Sequence, residues 1–180
     1  MLFRSLDKVY KYTGAASRLS GSQSAASSFK LSNGNTNSKG IVTDGTSLWV
    51  VDDGTTDKVF KYTLSGSLLG SWTIDAANSH PTGITINPTN VSDIWIVDNG
   101  TAKVYQYTAA AGRTSGSQNA ATTFALAAGN TNPQGIADPP GFAAALSPAP
   151  TPESVTDSPF HPALAEAFAR SDELDRKSVV

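Results

Sequence analysis

Three carboxylates within six residues form the densest group of metal-binding side chains in the sequence. Asp52, Asp53 and Asp57 lie in the segment Asp-Asp-Gly-Thr-Thr-Asp, and carboxylate oxygens are ligands that calcium prefers. The loop of an EF-hand ends in a glutamate that this segment lacks. We therefore predict at most one weak calcium site at these aspartates. The alternative is a turn in which the aspartates accept backbone hydrogen bonds.

One histidine, His80, is the main candidate for acid–base chemistry, since the other, His161, lies in a proline-rich segment. Acid–base catalysis needs an oriented partner group, and the sequence around His80 offers none. The similar segments Asn37-Ser-Lys-Gly and Asn132-Pro-Gln-Gly carry asparagine where His80-Pro-Thr-Gly carries histidine. A polar turn residue that satisfies the local backbone explains all three. We therefore predict no catalytic residue in this chain.

Several classes of function lack the residues that they need. The 180 residues include no cysteine, which excludes disulfides, cysteine-ligated zinc and cysteine nucleophiles. The motifs GxGxxG, GxSxG, HExxH and the P-loop are missing, so no cofactor is predicted. A net charge of −2 argues against a nucleic-acid partner. No apolar run is long enough to span a membrane, and the first residues lack the apolar core of a signal peptide.

Internal repeats supply the strongest indication of the fold. The run at residues 57–63 returns with small changes at 7–13 and 102–108, and the run at 48–54 returns at 94–100. Gly40, Gly83 and Gly135 begin three similar segments that are 43 and 52 residues apart, near the roughly 40 to 50 residues of a four-stranded propeller unit. Two further motifs recur 95 residues apart, which indicates that long and short units alternate.

Each full unit is predicted to form four short strands, because β-branched and aromatic runs alternate with turn residues. The run Leu48-Trp-Val-Val51 is apolar throughout, which predicts burial on both faces. Aromatic pairs on the third strand are expected to pack between sheets, and a stacking platform for sugars or bases is the alternative. The pairs are Tyr10 and Tyr12, Phe60 and Tyr62, and Tyr105 and Tyr107. The strands of one unit are predicted at residues 83–86, 94–97, 103–108 and 122–126.

The order of these motifs resembles the NHL-repeat type of β-propeller over about residues 6–138. A glycine-aliphatic strand is followed by an aromatic-aliphatic strand that ends in aspartate, and then by a strand that carries valine and aromatics. The resemblance implies an all-β fold of four-stranded antiparallel propeller blades. It also implies that residues flanking the inner strands line a channel mouth and contact a ligand. These residues are Asn37, Asp44, His80, Asn87, Asn132 and Asp138.

The repeats account for roughly two and a half blades, whereas closed propellers use about 4 to 8. Residues 7–31 are predicted to supply two outer strands, 40–76 and 83–126 to supply full blades, and 135–138 to supply one inner strand. The chain is then either a fragment of a longer product, which we favour, or a protomer that completes a ring with other copies. Uncovered blade faces are expected to cause self-association.

The composition changes abruptly after residue 138. Seven of the ten prolines lie between residues 139 and 162, so residues 139–161 are predicted to be a proline-rich linker. Residues 162–180 are predicted to be disordered or weakly helical, because Leu164 and Phe168 share a helical spacing that Leu174 breaks. The predicted organisation is therefore a partial propeller over residues 1–138, a linker and a tail.

The sequence predicts a non-catalytic interaction or structural module with a protein or a glycan as its partner. Charged residues make up only 16% of the chain, and serine, threonine, asparagine and glycine are abundant. We interpret this composition as that of an exported protein, extracellular or in the cell envelope, of which the chain is a part. The alternative is a segment of a propeller-type lyase or hydrolase whose catalytic residues lie mostly outside it.

Overall fold

The computed structural model describes residues 7–87 and 91–137, and confirms the prediction of an all-β fold. Its strands are β1 (Lys8–Lys11), β2 (Ser27–Lys30), β3 (Ser38–Thr43), β4 (Ser47–Asp52), β5 (Lys58–Thr63), β6 (Leu68–Thr73), β7 (Pro81–Ile86), β8 (Ile94–Asp98), β9 (Lys103–Tyr107) and β10 (Thr122–Ala125). Short 3-10 helices span Ala15–Ser17 and Ala110–Gly112. Within the described ranges, no helix is both long and apolar enough to cross a membrane. The predicted linker and tail lie outside the described residues.

The strands form three antiparallel sheets in which neighbours along the chain are neighbours in space. The first sheet contains β1 and β2, the second contains β3 to β6, and the third contains β7 to β10. The turns after β4 and β8 contain Gly54 and Gly100, neither of which has a positive φ. Their lack of a side chain matters for space, because a Cβ atom would lie 2.6 Å from Asp52 Oδ2 at Gly54 and 2.8 Å from His80 Nδ1 at Gly100. As predicted, both faces of β4 and β8 are largely buried.

The first and third sheets share one register, displaced by 95 positions. Val9 is opposite Phe29 in the first sheet, and Val104 is opposite Phe124 in the third. The connecting loops match as well, because the amide of Gln23 donates to the carbonyl of Thr13 at 2.7 Å. Gln118 donates to Thr108 at 2.9 Å in the same way. The motifs that recur in the sequence therefore make the same contacts in the structure.

The inner strands β3 and β7 lie side by side and approach closely at glycine. A Cβ atom on Gly40 would lie 3.1 Å from the Cα of Gly83, and one on Gly83 would lie 2.7 Å from the Cα of Gly135. Each glycine follows a bulge in its strand. Residues 135–137 pack in this way but pair with no strand. The prediction of an inner strand at 135–138 is therefore not met in its described part.

Two hydrophobic clusters fill the spaces between the sheets. The larger one joins Trp49 and Val51 of the second sheet to Ile84 and Ile96 of the third. The smaller one joins Phe60 and other residues of the second sheet to the first sheet. Full burial of one such aliphatic side chain contributes about 1.5–3 kcal/mol, so the spaces between sheets hold most of the apolar driving force. The smaller cluster consists of Leu31, Val50, Phe60 and Tyr62, with Val9, Phe29 and Leu48 packed against it.

The tyrosines on and beside β1 are exposed, unlike their counterparts in the other two sheets. Tyr10 is 53% exposed and Tyr12 is 47% exposed. Their counterparts Phe60 and Tyr62 are buried. The prediction of packing between sheets holds for the second and third sheets but is wrong for Tyr10 and Tyr12. Among the described residues, β2 is the one strand that pairs with β1.

Candidate functional site

The loops that lead into the inner strands contain two of the predicted site residues at equivalent positions. Asn37 directly precedes β3 and His80 directly precedes β7. The backbone N–H of Asn37 donates to Asp52 Oδ1, and that of His80 donates to Asp98 Oδ2, both at 2.6 Å. Because Asp52 and Asp98 end the adjacent strands β4 and β8, each bond fixes an incoming loop to the neighbouring strand. Each of these two aspartates therefore fixes the loop that leads into its own sheet.

The third equivalent position, Asn132, also bonds to its surroundings. Its Oδ1 accepts a hydrogen bond from the side-chain amide of Asn99 at 3.3 Å and another from Gln134 at 2.6 Å. Asn99 lies in the turn after β8, so this contact joins the loop after β10 to the third sheet. The side chain of His80 is exposed, and its Nδ1 lies 3.1 Å from Ser79 Oγ.

Asp44 and Asn87 lie at the opposite ends of the inner strands from Asn37 and His80. Asp44 follows β3, whereas Asn37 precedes it, and seven extended residues span roughly 20 Å. The candidate ligand contacts therefore do not surround one channel mouth. Asp138, the last of the six, lies outside the described residues.

Asp44 serves its own turn. Its Oδ1 accepts hydrogen bonds from the backbone N–H groups of Thr46 and Ser47 at 2.8 and 2.7 Å. Burial opposes ionisation of this carboxyl, but these hydrogen bonds outweigh that effect and lower the pKa of Asp44. The geometry is that of an Asx turn, which requires no ligand.

The three aspartates predicted to bind calcium are not brought together as a set of ligands. Asp52 is buried and accepts the bond from Asn37, whereas Asp53 Oδ2 lies 3.5 Å from the ammonium of Lys39. Over residues 7–87 and 91–137, no group of three or more His, Cys, Asp or Glu side chains could hold a metal ion. The alternative, in which aspartates accept backbone hydrogen bonds, matches Asp52.

Asp57 has the most unusual electrostatic surroundings of this acidic loop. Burial raises the pKa of Asp57 to about 6, the carboxylate of Asp53 adds to the rise, and the imidazole of His80 opposes it. Smaller contributions from Asp52 and Asp98 also raise the pKa. Burial likewise raises the pKa of Asp52, although the hydrogen bond from Asn37 opposes that effect. The carboxyl of Asp57 is therefore within electrostatic reach of the His80 imidazole.

A buried tyrosine–asparagine pair repeats between the sheets and was missed by the sequence interpretation. Asn78 Nδ2 donates to the hydroxyl oxygen of Tyr107 at 3.1 Å, and burial raises the pKa of Tyr107. Asn35 Nδ2 makes the same contact with Tyr62 at 3.4 Å. The repeated motif Gly-Asn-Thr-Asn at residues 34–37 and 129–132 carried the signal. In the second copy of the motif, Asn130 takes the position of Asn35 but its side chain is exposed.

The central tryptophans of the second and third sheets differ in their partners. Trp49 Nε1 donates to the carbonyl of Ala111 at 3.3 Å, and Lys61 Nζ donates to the same carbonyl at 2.8 Å. The ammonium of Lys61 also lies 5.1 Å from the centre of the Trp49 ring. The equivalent Trp95 Nε1 is buried with no hydrogen-bond partner in the described part of the chain. The tryptophan of the second sheet thus donates to a carbonyl that follows β9, whereas the tryptophan of the third sheet has no such acceptor among the described residues.

Comparison with known proteins identifies no relative. No protein-family model matches the chain, and no curated protein is similar enough to it to count as a match. Function must therefore be inferred from the repeated contacts themselves.

Proposed function

We propose that the chain is a non-catalytic interaction and structural module, built of NHL-type β-propeller units and belonging to a larger exported protein. The main support is that the buried aspartates at the ends of β4 and β8 hold the backbone of the fold. Asp52 and Asp98 fix the loops that contain Asn37 and His80 to their own sheets. A carboxylate that holds a backbone N–H is already engaged in the fold, so little polar chemistry is left for turnover.

Unused contacts on the third sheet support the propeller interpretation. Trp49 Nε1 of the second sheet donates to the carbonyl of Ala111, which lies between β9 and β10 of the third sheet. Trp95 Nε1 of the third sheet is buried without a partner among the described residues. Asn130 is exposed where Asn35 and Asn78 are buried against tyrosine. Both residues have the partners they need if another four-stranded unit packs on this face.

The surfaces left for a partner are apolar and aromatic. Tyr10, Tyr12 and Ile41 are exposed on the side of the first sheet, and Phe124 is exposed on the third. Aromatic side chains supply large contact areas in both protein and glycan recognition. A protein or a glycan is therefore the partner class that fits, as the sequence predicts.

An assay of binding and turnover tests this function. The full chain is immobilised and presented with arrays of peptides and oligosaccharides. We expect saturable retention of one class, and mass spectrometry should recover the ligand unchanged. A cleaved or eliminated product would contradict the non-catalytic function.

A lyase or hydrolase segment is the second candidate, because the carboxyl of Asp57 lies within electrostatic reach of His80 and has a pKa near 6. If the assay yields product, His80→Ala should abolish turnover. His80→Asn is the matched control for folding, since Asn37 and Asn132 occupy the equivalent positions. Turnover that survives in both variants would remove His80 from the mechanism.

The propeller architecture has a test of its own. A second copy of residues 40–134, inserted after residue 134, adds one 95-residue block of the repeat. We expect the added sheets to stack on the third sheet, which should raise the midpoint of thermal unfolding and give compact, curved X-ray scattering. A block that scatters as an independent bead would contradict stacking between units.

A further inference from the structure

One edge of β1 has backbone groups available for pairing. The carbonyl oxygens of Asp7 and Lys11 accept hydrogen bonds from Leu31 and Ala26 at 2.9 and 2.8 Å, so these groups face β2. Successive residues of a strand direct their backbone groups to opposite edges. Lys8 and Tyr10 therefore direct theirs away from β2. Within the described residues, no strand pairs with that edge.

In the other two sheets, the strand equivalent to β1 pairs with a neighbouring strand along this edge. β5 and β9 repeat the sequence of β1, and they pair there with β4 and β8. In this register Lys58 is opposite Asp52, and Lys103 is opposite Asp98. Lys8 is the equivalent lysine, so the missing neighbour of β1 should place a carboxylate opposite it.

The remaining positions of β1 define an apolar strand. Val59 is opposite Val51, and Lys61 is opposite Trp49, with the ammonium lying over the indole ring. Val9 and Lys11 repeat Val59 and Lys61. A strand that reads aliphatic-Trp-aliphatic-aliphatic-Asp therefore matches β1 residue by residue.

A groove beside β1 matches the side chains of such a strand. It encloses about 290 Å³ and its lining includes Val9, Lys11, Ile41 and Leu48. Ile41 is 48% exposed, whereas its counterpart Ile84 is 4% exposed in the cluster that contains Trp49 and Val51. The groove lacks the tryptophan and the valine that cover the equivalent isoleucine of the third sheet.

We propose that this groove binds an extended strand with the sequence aliphatic-Trp-aliphatic-aliphatic-Asp, which adds antiparallel to β1. Main-chain hydrogen bonds supply affinity, and the pocket for tryptophan and the charge of Lys8 supply specificity. The inference rests on the proposed function, because it names the partner of that interaction module. A second copy of this chain carries such strands in β4 and β8, but both are already paired along two edges.

A labelled peptide with the sequence of residues 46–54 is the probe. Fluorescence anisotropy of this peptide with the full chain should show saturable binding. Backbone methylation supplies a matched pair. In the structure, the N–H of Val50 points toward β5, the strand that β1 repeats. The N–H of Val51 points toward β3, on the side where the backbone N–H of Asp53 donates to the carbonyl of Asn37. N-methylation at Val50 should weaken binding about tenfold or more, and N-methylation at Val51 should leave it nearly unchanged.

A charge exchange checks the register. Lys8→Glu should weaken binding about two- to fivefold, as expected for an exposed ion pair, and a peptide with Asp52→Lys should restore it. A peptide with Trp49→Ala should bind at least tenfold more weakly than the parent peptide. Circular dichroism verifies that the Lys8→Glu protein retains its sheets.

The inference is overturned if the parent peptide fails to bind at millimolar concentration, or if the two methylated peptides bind equally. It is also overturned if sedimentation shows a dimer that the peptide does not dissociate, since a second copy would then occupy the groove. None of these results affects the proposed function, which is decided by retention and turnover on the arrays.

Discussion

His80 and Asp98 are joined through the backbone of one and the side chain of the other. The N–H of His80 donates to Asp98 Oδ2 at 2.6 Å, while Asp98 Oδ1 accepts from the N–H of Thr101 at 2.7 Å. Asp98 is fully buried. One carboxylate therefore fixes both the loop before β7 and the turn after β8, and the imidazole of His80 takes no part in either bond.

Asp98→Ala should lower the free energy of unfolding by about 3 kcal/mol, because it removes a buried carboxylate and leaves the partly buried N–H donors of His80 and Thr101 without an acceptor. The control is Asp44→Ala, since Asp44 also accepts two backbone N–H groups but lies exposed in a turn. The control should cost less than about 1 kcal/mol. Urea denaturation of both variants measures the difference. Equal losses would show that Asp98 does not connect the two segments.

Asp57 should make the protein less stable as the pH rises. Its pKa in the folded chain is about 6, above the usual value of 3.8, so between these values the folded state binds more protons than the unfolded state. By linkage, this contribution to stability is present below pH 4 and is lost as the pH rises through 6. Asp57→Asn should therefore gain stability relative to the unmodified chain between pH 4 and pH 7.

Asp44→Asn provides a control of opposite sign for this experiment. The pKa of Asp44 is lowered, so its contribution is present above the usual pKa and is lost as the pH falls. Denaturation curves at each pH unit from 2 to 7 compare both variants with the unmodified chain, since the effect of Asp44 lies below the usual pKa of 3.8 and that of Asp57 lies above it. Curves for Asp57→Asn that run parallel to those of the unmodified chain would contradict the raised pKa.

Three tyrosines at one repeat position should respond differently to loss of the hydroxyl. Tyr107→Phe and Tyr62→Phe should each cost about 1–2 kcal/mol, because Asn78 and Asn35 lose a buried acceptor. Tyr12 is exposed, so Tyr12→Phe should change stability by less than about 0.5 kcal/mol. Thermal unfolding of the three variants tests this order. A cost at Tyr12 as large as the other two would mean that its hydroxyl is engaged.

Gly83 of β7 and Gly135, which packs against it, should differ in their tolerance of alanine. A Cβ on Gly83 would lie 2.7 Å from the Cα of Gly135, whereas one on Gly135 would meet no described atom within 4 Å. Because backbone must move to admit the first methyl group, Gly83→Ala should destabilise by about 1–3 kcal/mol. Gly135→Ala should be nearly neutral. Differential scanning calorimetry of the two variants measures both losses of stability. A larger loss for Gly135→Ala than for Gly83→Ala would contradict the close approach of Gly83 to Gly135.

The sequence predicted the strands well because each strand is encoded locally. The apolar run from Leu48 to Val51 and the turn that follows it determine β4 without reference to distant residues. The exposure of Tyr10 was not predictable in this way, since its sequence is nearly that of Phe60. Burial depends on whether a neighbouring sheet is present, and residues 7–13 carry no information about that.

Side-chain roles at the site were harder to predict than the strands. The sequence places Asp52, Asp53 and Asp57 within six residues, but adjacent residues of an extended segment point in different directions. Asp52 Oδ1 accepts from the backbone N–H of Asn37, whereas Asp53 Oδ2 accepts from the side-chain amide of Asn37 and lies 3.5 Å from the ammonium of Lys39. The grouping of Asn37 with Asp44 failed for a related reason, because β3 separates them.

β1 and β5 have similar sequences, so β4 can pair with either strand during folding. Residues 53–57 connect β4 to β5, whereas residues 12–46 separate β1 from β4. The longer loop costs about 1.7 kcal/mol more to close, which favours the native hairpin by a modest margin. A nascent chain has β1 available before β5 is synthesised, so the order of synthesis favours the wrong pairing. We therefore expect mispairing of β4 with β1 to be more frequent during translation than during refolding from denaturant.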